Sequence, residues 1–288
     1  MSYSGWAEKF GFSRNPFKDT LDADLFYRTR QHEEALVKIR IGIADSHALI
    51  LLSGVSGTGK TLLSQLAVRD LDRSRFKPVI VPVYPEMGKG MLLSQILVEA
   101  DQEEQKARLT HDRLNLLQEK ALALHAAGKR LVVVIDEAHF LKADALHILR
   151  TLSNLETEKE KLVTVLLVAE ESLSRRLNNP SYASLRGRIT FAVHLTPLKR
   201  EETEQFVKYR LLKCGGSPEL LTSDAYDTVH RISKGIPREI NRLLYNGFLE
   251  AVSSNLRTLT SSLMADAGMK SGIDHGQNKQ TASHADIP

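Results

Sequence analysis

The stretch HALILLSGVSGTGKTLL, residues 47–63, decides how the chain is read. Its first half is apolar without alternation and short, which predicts a strand buried on both faces over 47–53. GVSGTGKT (54–61) then fits G-x-x-x-x-G-K-[ST] in full. Glycines there let backbone N–H groups curl round an anion, and the helix predicted to open at the motif presents its positive end to it. The expected phosphate cradle is Gly54, Val55, Ser56, Gly57, Thr58, Gly59, Lys60, Thr61 and Leu62. Lys60 is expected on the β- and γ-phosphates of a nucleoside triphosphate and the Thr61 hydroxyl on Mg²⁺.

A second stretch, KRLVVVIDEAHFL (129–141), answers the first. Five apolar residues, Leu131 to Ile135, predict another doubly buried strand, and Asp136 and Glu137 follow side by side. Adjacent carboxylates cost desolvation and repulsion unless a cation or a task compensates. Asp136, ending a neighbouring strand, is expected to hold the magnesium of the P-loop nucleotide. Glu137, expected on the other side of the strand end, is placed as general base for the attacking water. His139 is read as a structural or gating neighbour of this pair. The letters DEAH also name a helicase class, but 288 residues do not hold the two sheet domains such helicases use.

Outward from these motifs, strands are expected at 78–83, 161–169 and 189–195, with helices at 31–44, 91–100, 111–127 and about 142–156. Strands alternating with helices predict a parallel five-stranded sheet between helices, an α/β domain over 31–197. After Pro197 the strand signal stops, and helices near 200–213, 222–233 and 237–254 predict a small all-helical domain over 198–256. Residues 1–30 read as a linker segment, and 257–288 as a disordered polar tail.

The bulk numbers narrow the class. A net charge of +4 permits contact with nucleic acid without demanding it. One cysteine, Cys214, excludes an internal disulfide, and ten histidines lacking zinc spacing argue against a structural metal. No apolar run approaches the ~20 residues of a membrane span, and the start MSYSGWAEKFGF lacks a signal-peptide layout. The expectation is a cytoplasmic protein.

Two arginine motifs point to a nucleotide-driven machine. SLRGRITF (184–191) puts Arg186 and Arg188 before the last strand, where an arginine can reach the γ-phosphate of a neighbouring subunit. Arg188 is preferred because it abuts the strand. In GIPREINRLL (235–244) Pro237 opens a helix and sets Arg238 in its first turn, placed to report nucleotide state to the helical domain.

FGFSRNPF, SGVSGTGKT, VVVIDEAHFL, LRGRI, LTPLKREET and GIPREINRL, in this order and spacing, resemble the AAA+ ATPases of the general-secretion-pathway A (ExeA-like) family over roughly residues 5–255. Their motifs are close to those of transposition ATPases of the Mu B and TniB type. The resemblance implies an AAA+ core with a helical lid and Mg-ATP bound between them at a subunit boundary of a ring or filament. It carries over Lys60, Thr61, Asp136, Glu137 as base, Arg188 as finger and Arg238 as second sensor. Two departures matter. VAEESL puts Glu170 where relatives carry a γ-phosphate-sensing glutamine, so that hydrolysis is slowed or Ser172 takes that role. VPVYPEM also lacks the asparagine that often restrains the base.

The implied role is energising or regulating a secretion or pilus apparatus of the type IV or MSHA-like kind, with its proteins as partners and a location peripheral to the inner membrane through them. The alternatives are an ATP-controlled DNA-binding regulator of transposition and an ATP-dependent scaffold with little turnover. The candidate pore stretches PEMGKGM (85–91) and ETEKEKL (156–162) mix Lys89, Lys159 and Lys161 with Glu86, Glu156, Glu158 and Glu160. That favours a protein partner over a phosphate track.

Overall fold

In the computed structural model residues 5–101 and 109–273 are described. In chain order the elements are α1 (Trp6–Lys9), α2 (Arg30–Ala44), β1 (Leu49–Gly54), α3 (Lys60–Arg69), β2 (Phe76–Pro82), α4 (Lys89–Asp101), α5 (Thr110–Ala126) and β3 (Arg130–Asp136). There follow α6 (Ala143–Leu152), β4 (Val163–Ala169), α7 (Glu171–Leu177), α8 (Ala183–Arg186), β5 (Ile189–Leu195), α9 (Arg200–Lys213), α10 (Ser223–Ser233), α11 (Pro237–Ser253) and α12 (Ser261–Lys270). The chain divides into two compact units, Arg28–Thr196 and Met1–Tyr27 with Pro197–Pro288.

The first unit is a five-stranded sheet in the order β2-β3-β4-β1-β5, every pair parallel. Helices cover its faces, which is why the central strands read as unbroken apolar runs. All of β1 and β4 and the first six residues of β3 are buried. Leu49, Val133, Ile135, Val165 and Leu167 form one core with Leu92, Leu93 and Ile96 of α4 and Leu146 and Leu149 of α6. The acid-bearing strand is not the immediate neighbour of the P-loop strand, as the sequence reading had it: β4 lies between them.

The second unit is helical and corrects two expectations. Residues 1–30 are not a linker throughout. Phe10, Phe12, Phe17 and Leu25 are buried in the core built by α9, α10 and α11. Phe248 of α11, fully buried, sits 4.8 Å from Phe10, 5.3 Å from Phe12 and 5.8 Å from Phe17 by ring centroids. Buried Arg210 ties the segment further, donating Nη1–H to the Pro16 carbonyl at 2.7 Å, and burial pushes its guanidinium down to about 10. The polar tail was also placed too early. Residues 261–270 form α12, capped where Thr260 accepts the Leu263 N–H, with Leu263, Met264 and Ala267 buried against α10 and α11. Residues 274–288 of that expected tail lie outside the described residues.

Candidate functional site

The nine-residue cradle predicted from sequence is a loop between buried β1 and the first turn of α3. Gly54 is required by packing: a Cβ there would stand 2.4 Å from the Leu195 carbonyl oxygen of β5. Thr58, almost fully buried, closes the loop by donating its hydroxyl to the Val55 carbonyl at 2.8 Å. Gly59 is the N-cap of α3 at φ 95° and brings no side chain to the first-turn N–H groups. A ten-residue helix thus opens towards the loop without a side-chain cap, the arrangement that suits an anion. Lys60 is buried inside the loop, its Nζ donating to the Gly54 carbonyl at 3.1 Å and the Val55 carbonyl at 3.0 Å. Its charge is held where a phosphate would settle. These residues fit a polyphosphate.

The acids stand at the same edge of the sheet, where β3 ends. Asp136, half-buried, accepts the Glu137 N–H on Oδ1 at 3.0 Å. Glu137 leaves the strand in the left-handed region, φ 56° and ψ 35°, so the alternation of strand faces expected to set its direction stops one residue earlier. It opens the 3₁₀ turn Ala138–Phe140. Two strand spacings separate β3 from β1, ~10 Å. Glu170, the residue after β4, lies in the row between them as N-cap of α7. A half-buried carboxylate and the Thr61 hydroxyl are oxygen donors of the kind a hard divalent cation takes, and magnesium fits them on that ground.

His139 joins these acids. Its Nδ1 is 3.4 Å from Glu137 Oε2 and 3.4 Å from the Glu170 backbone nitrogen. Its Nε2 is 4.0 Å from Glu170 Oε2. A second bridge links β1, β5 and α7: the Ser53 hydroxyl lies 3.2 Å from His194 Nδ1, and His194 Nε2 lies 3.3 Å from Glu171 Oε1.

Arg188 is not brought to this edge. The parallel register sets Leu49 beside Ile189 and Gly54 beside Leu195, so Arg188 lies at the opposite end of the sheet from its own P-loop. There it is fixed. Asn154 Oδ1 accepts from Nε and Nη2 at 3.2 and 3.1 Å, and Ser184 accepts from Nη1 through its carbonyl at 2.7 Å and its hydroxyl at 2.9 Å. Arg186 is exposed and donates to Asn178 Oδ1 at 3.3 Å. Sequence reasoning missed the clamp because Asn154 is 34 residues away and carries no local signal. Arg238 stands in the first turn of α11, in the helical unit, after Gly235 at φ 71°. The candidate pore stretch 156–162 pairs internally: Lys161 contacts Glu156, and the two residues form an isolated antiparallel bridge.

Residues 43–177 match the family model described as an AAA domain. The chain is 33% identical over 246 residues to General secretion pathway protein A of Aeromonas hydrophila, a match covering 85% of this chain and 45% of that protein. It therefore spans about half the length of that relative. Among solved structures it is similar to the ORC2 protein of Aeropyrum pernix, with TM-score 0.64, 18% identity, and 90% and 72% of the two chains covered. It is also similar to Drosophila ORC bound to DNA, with TM-score 0.66, 17% identity, and 91% and 64% covered. At these identities the likeness shows the fold: a parallel P-loop core followed by a helical part. The chain thus carries a P-loop core that matches the AAA domain over residues 43–177 and is similar, over most of its own length, to General secretion pathway protein A.

Proposed function

We propose that the protein binds Mg-ATP on the P-loop and hydrolyses it at the boundary between two copies, driving or regulating assembly of a secretion or pilus apparatus. One observation carries the reading: Lys60, Asp136 and Glu137 share one edge of the sheet, while a rigidly held Arg188 occupies the other. Lys60 and the loop N–H groups bind and orient the β- and γ-phosphates. Thr61 and Asp136 would hold the magnesium, which supplies charge neutralisation on the phosphate oxygens. Glu137 takes the proton of the attacking water, and Arg188 of an adjoining copy neutralises charge on the transferring phosphoryl group. Arg238 reports the nucleotide to the helical unit.

The role in secretion rests on the likeness to General secretion pathway protein A of Aeromonas hydrophila. With it come proteins of the apparatus as partners and a cytoplasmic location peripheral to the inner membrane. Among the described residues no helix is long and apolar enough to cross a membrane. The test is phosphate release by the purified chain with ATP and magnesium. Wild type is expected to turn over and Glu137→Gln to bind ATP without turnover; equal silence of both at every protein concentration would sink the hydrolase reading.

DNA binding is the second reading. Arg73, Lys77 and Lys129, with the single acid Glu99, line one cavity of about 520 Å³ at the β2 edge, and one structural neighbour is described as bound to DNA. Retention on DNA that falls steeply with salt would favour it.

A further inference from the structure

Resting on the reading of Glu137 as the base, we propose that His139 is a positioning residue. It holds the Glu137 carboxylate towards the end of β4, on the P-loop side of the β3 terminus. The observation is an asymmetry within the acid cluster. The Glu137 side chain is 45% exposed and the His139 side chain 11%. A glutamate this open has several rotamers of similar energy. His139 follows it by two residues in a 3₁₀ turn whose first residue is buried, and the ring lies 4.1 Å from the Phe140 ring centroid. A fixed ring beside a loose carboxylate selects one rotamer, with Nδ1 and Oε2 3.4 Å apart.

The direction of that hold follows from the sheet order. β4 stands between β3 and the P-loop strand, so a group drawn towards the end of β4 is drawn towards the phosphate cradle. The imidazole is tied to the same place, with Nδ1 facing the Glu170 N–H and Nε2 facing the Glu170 carboxylate. Nδ1 serves one partner at a time: it accepts from the Glu170 N–H or donates to Glu137. A shift of the β4 terminus therefore changes the grip on the base, which links the strand end that lies between β3 and the P-loop strand to the residue that activates water. In the state where Nδ1 accepts from the Glu170 N–H, the ring proton sits on Nε2 and faces the Glu170 carboxylate, 4.0 Å away. The His139 ring also supplies the restraint that the loop after β2, lacking an asparagine, does not offer.

The test uses the full chain and reads kcat, KM for ATP and Kd for a non-hydrolysable ATP analogue. His139→Ala is expected to lower kcat about tenfold, equivalent to ~1.4 kcal/mol, with Kd unchanged within about twofold. His139→Asn, whose amide nitrogen stands where Nδ1 was, is expected to recover most of the loss. Should the alanine variant fail to fold, His139→Leu and His139→Asn, similar in size, make the same comparison, with leucine slow and asparagine fast. Wild-type kcat in the alanine or leucine variant, loss of Kd in step with kcat, or asparagine no better than leucine would each overturn the proposal. An active wild type with an insensitive His139 sinks this proposal alone. A wild type that binds the analogue but never turns over sinks the hydrolase reading, and this proposal with it.

Discussion

Arg188 gives the sharpest numerical test, because the sheet fixes its distance from its own nucleotide. It lies one residue before Ile189, which pairs with Leu49 at the start of β1, whereas the P-loop begins at Gly54 at the strand's end. Six residues at about 3.3 Å each put ~20 Å between the guanidinium and the phosphates of the same chain. Over that distance a unit charge pair is worth about 0.2 kcal/mol in water and about 0.8 kcal/mol at an effective dielectric of 20. Salt weakens even that, since the Debye length is only about 8 Å at physiological ionic strength. A role confined to its own protomer therefore predicts less than about a fourfold change in Arg188→Ala. Contact with a neighbour's γ-phosphate predicts a loss of about 10³–10⁵ in kcat, or ~4–7 kcal/mol.

The assay mixes two variants that are each expected to be inactive if the arginine acts across a boundary. Arg188→Ala keeps its P-loop and base but lacks the finger, and Glu137→Gln keeps the finger but lacks the base. If the arginine acts across a boundary, mixtures contain junctions where an intact base faces an intact arginine, and phosphate release rises above the sum of the separate samples. Specific activity of the wild type also rises with protein concentration. A small loss in Arg188→Ala, or a mixture that merely adds, would refute the reasoning. The clamp of Asn154 and Ser184 makes the outcome interpretable, since the arginine is already ordered and its removal leaves a polar surface site.

Three further predictions concern the helical unit. Phe248→Ala is expected to destabilise that unit by about 3–5 kcal/mol. Urea unfolding read by the chain's single tryptophan, Trp6, whose ring centroid is 5.9 Å from Phe248, checks it; an unmoved midpoint would return the N-terminal segment to linker status. Gly235→Ala places a Cβ 2.0 Å from the Leu198 carbonyl oxygen at φ 71°, and a loss of about 2–3 kcal/mol in the same assay is expected. Burial and then Arg200 hold His230 below its ordinary value of 6.5. The unfolded chain thus binds the proton first as pH falls, and this histidine's contribution weakens stability from about pH 6.5 down to its lower folded value. His230→Gln is expected to flatten that part of the stability–pH curve.

The sequence made the sheet legible because each central strand is buried on both faces. LVVVI and LILL carry no alternation, and the structure gives them strands within a residue or two of their expected ends. The N-terminal segment was misread because its signal is sparse. Phe10, Phe12 and Phe17 are separated by polar and glycine residues without helical or strand period, and only the distant Phe248 shows what they bury against. The helix at 261–270 was hidden by small residues. Ala265, Ala267 and Gly268 read as a polar tail, yet Gly268 lets α12 approach α10 closely enough that a Cβ would stand 3.0 Å from Ile232.

Sheet order was the larger thing that motifs did not encode, and it changes how the site works. Had the acid strand adjoined the P-loop strand, one spacing of about 4.8 Å would separate their ends. Asp136 could then crowd Lys60, the lysine proposed for the phosphates. With β4 between them the gap doubles, and the row holds Glu170 beside the ring of His139. A gap of ~10 Å accommodates a phosphate with a hydrated cation rather than a direct carboxylate–lysine pair. Lys60 accordingly donates to the carbonyls of Gly54 and Val55, while Asp136 accepts from the backbone of Glu137. Both side chains are thus engaged by backbone groups, Lys60 through two carbonyls of the loop and Asp136 through the N–H of the residue that follows it.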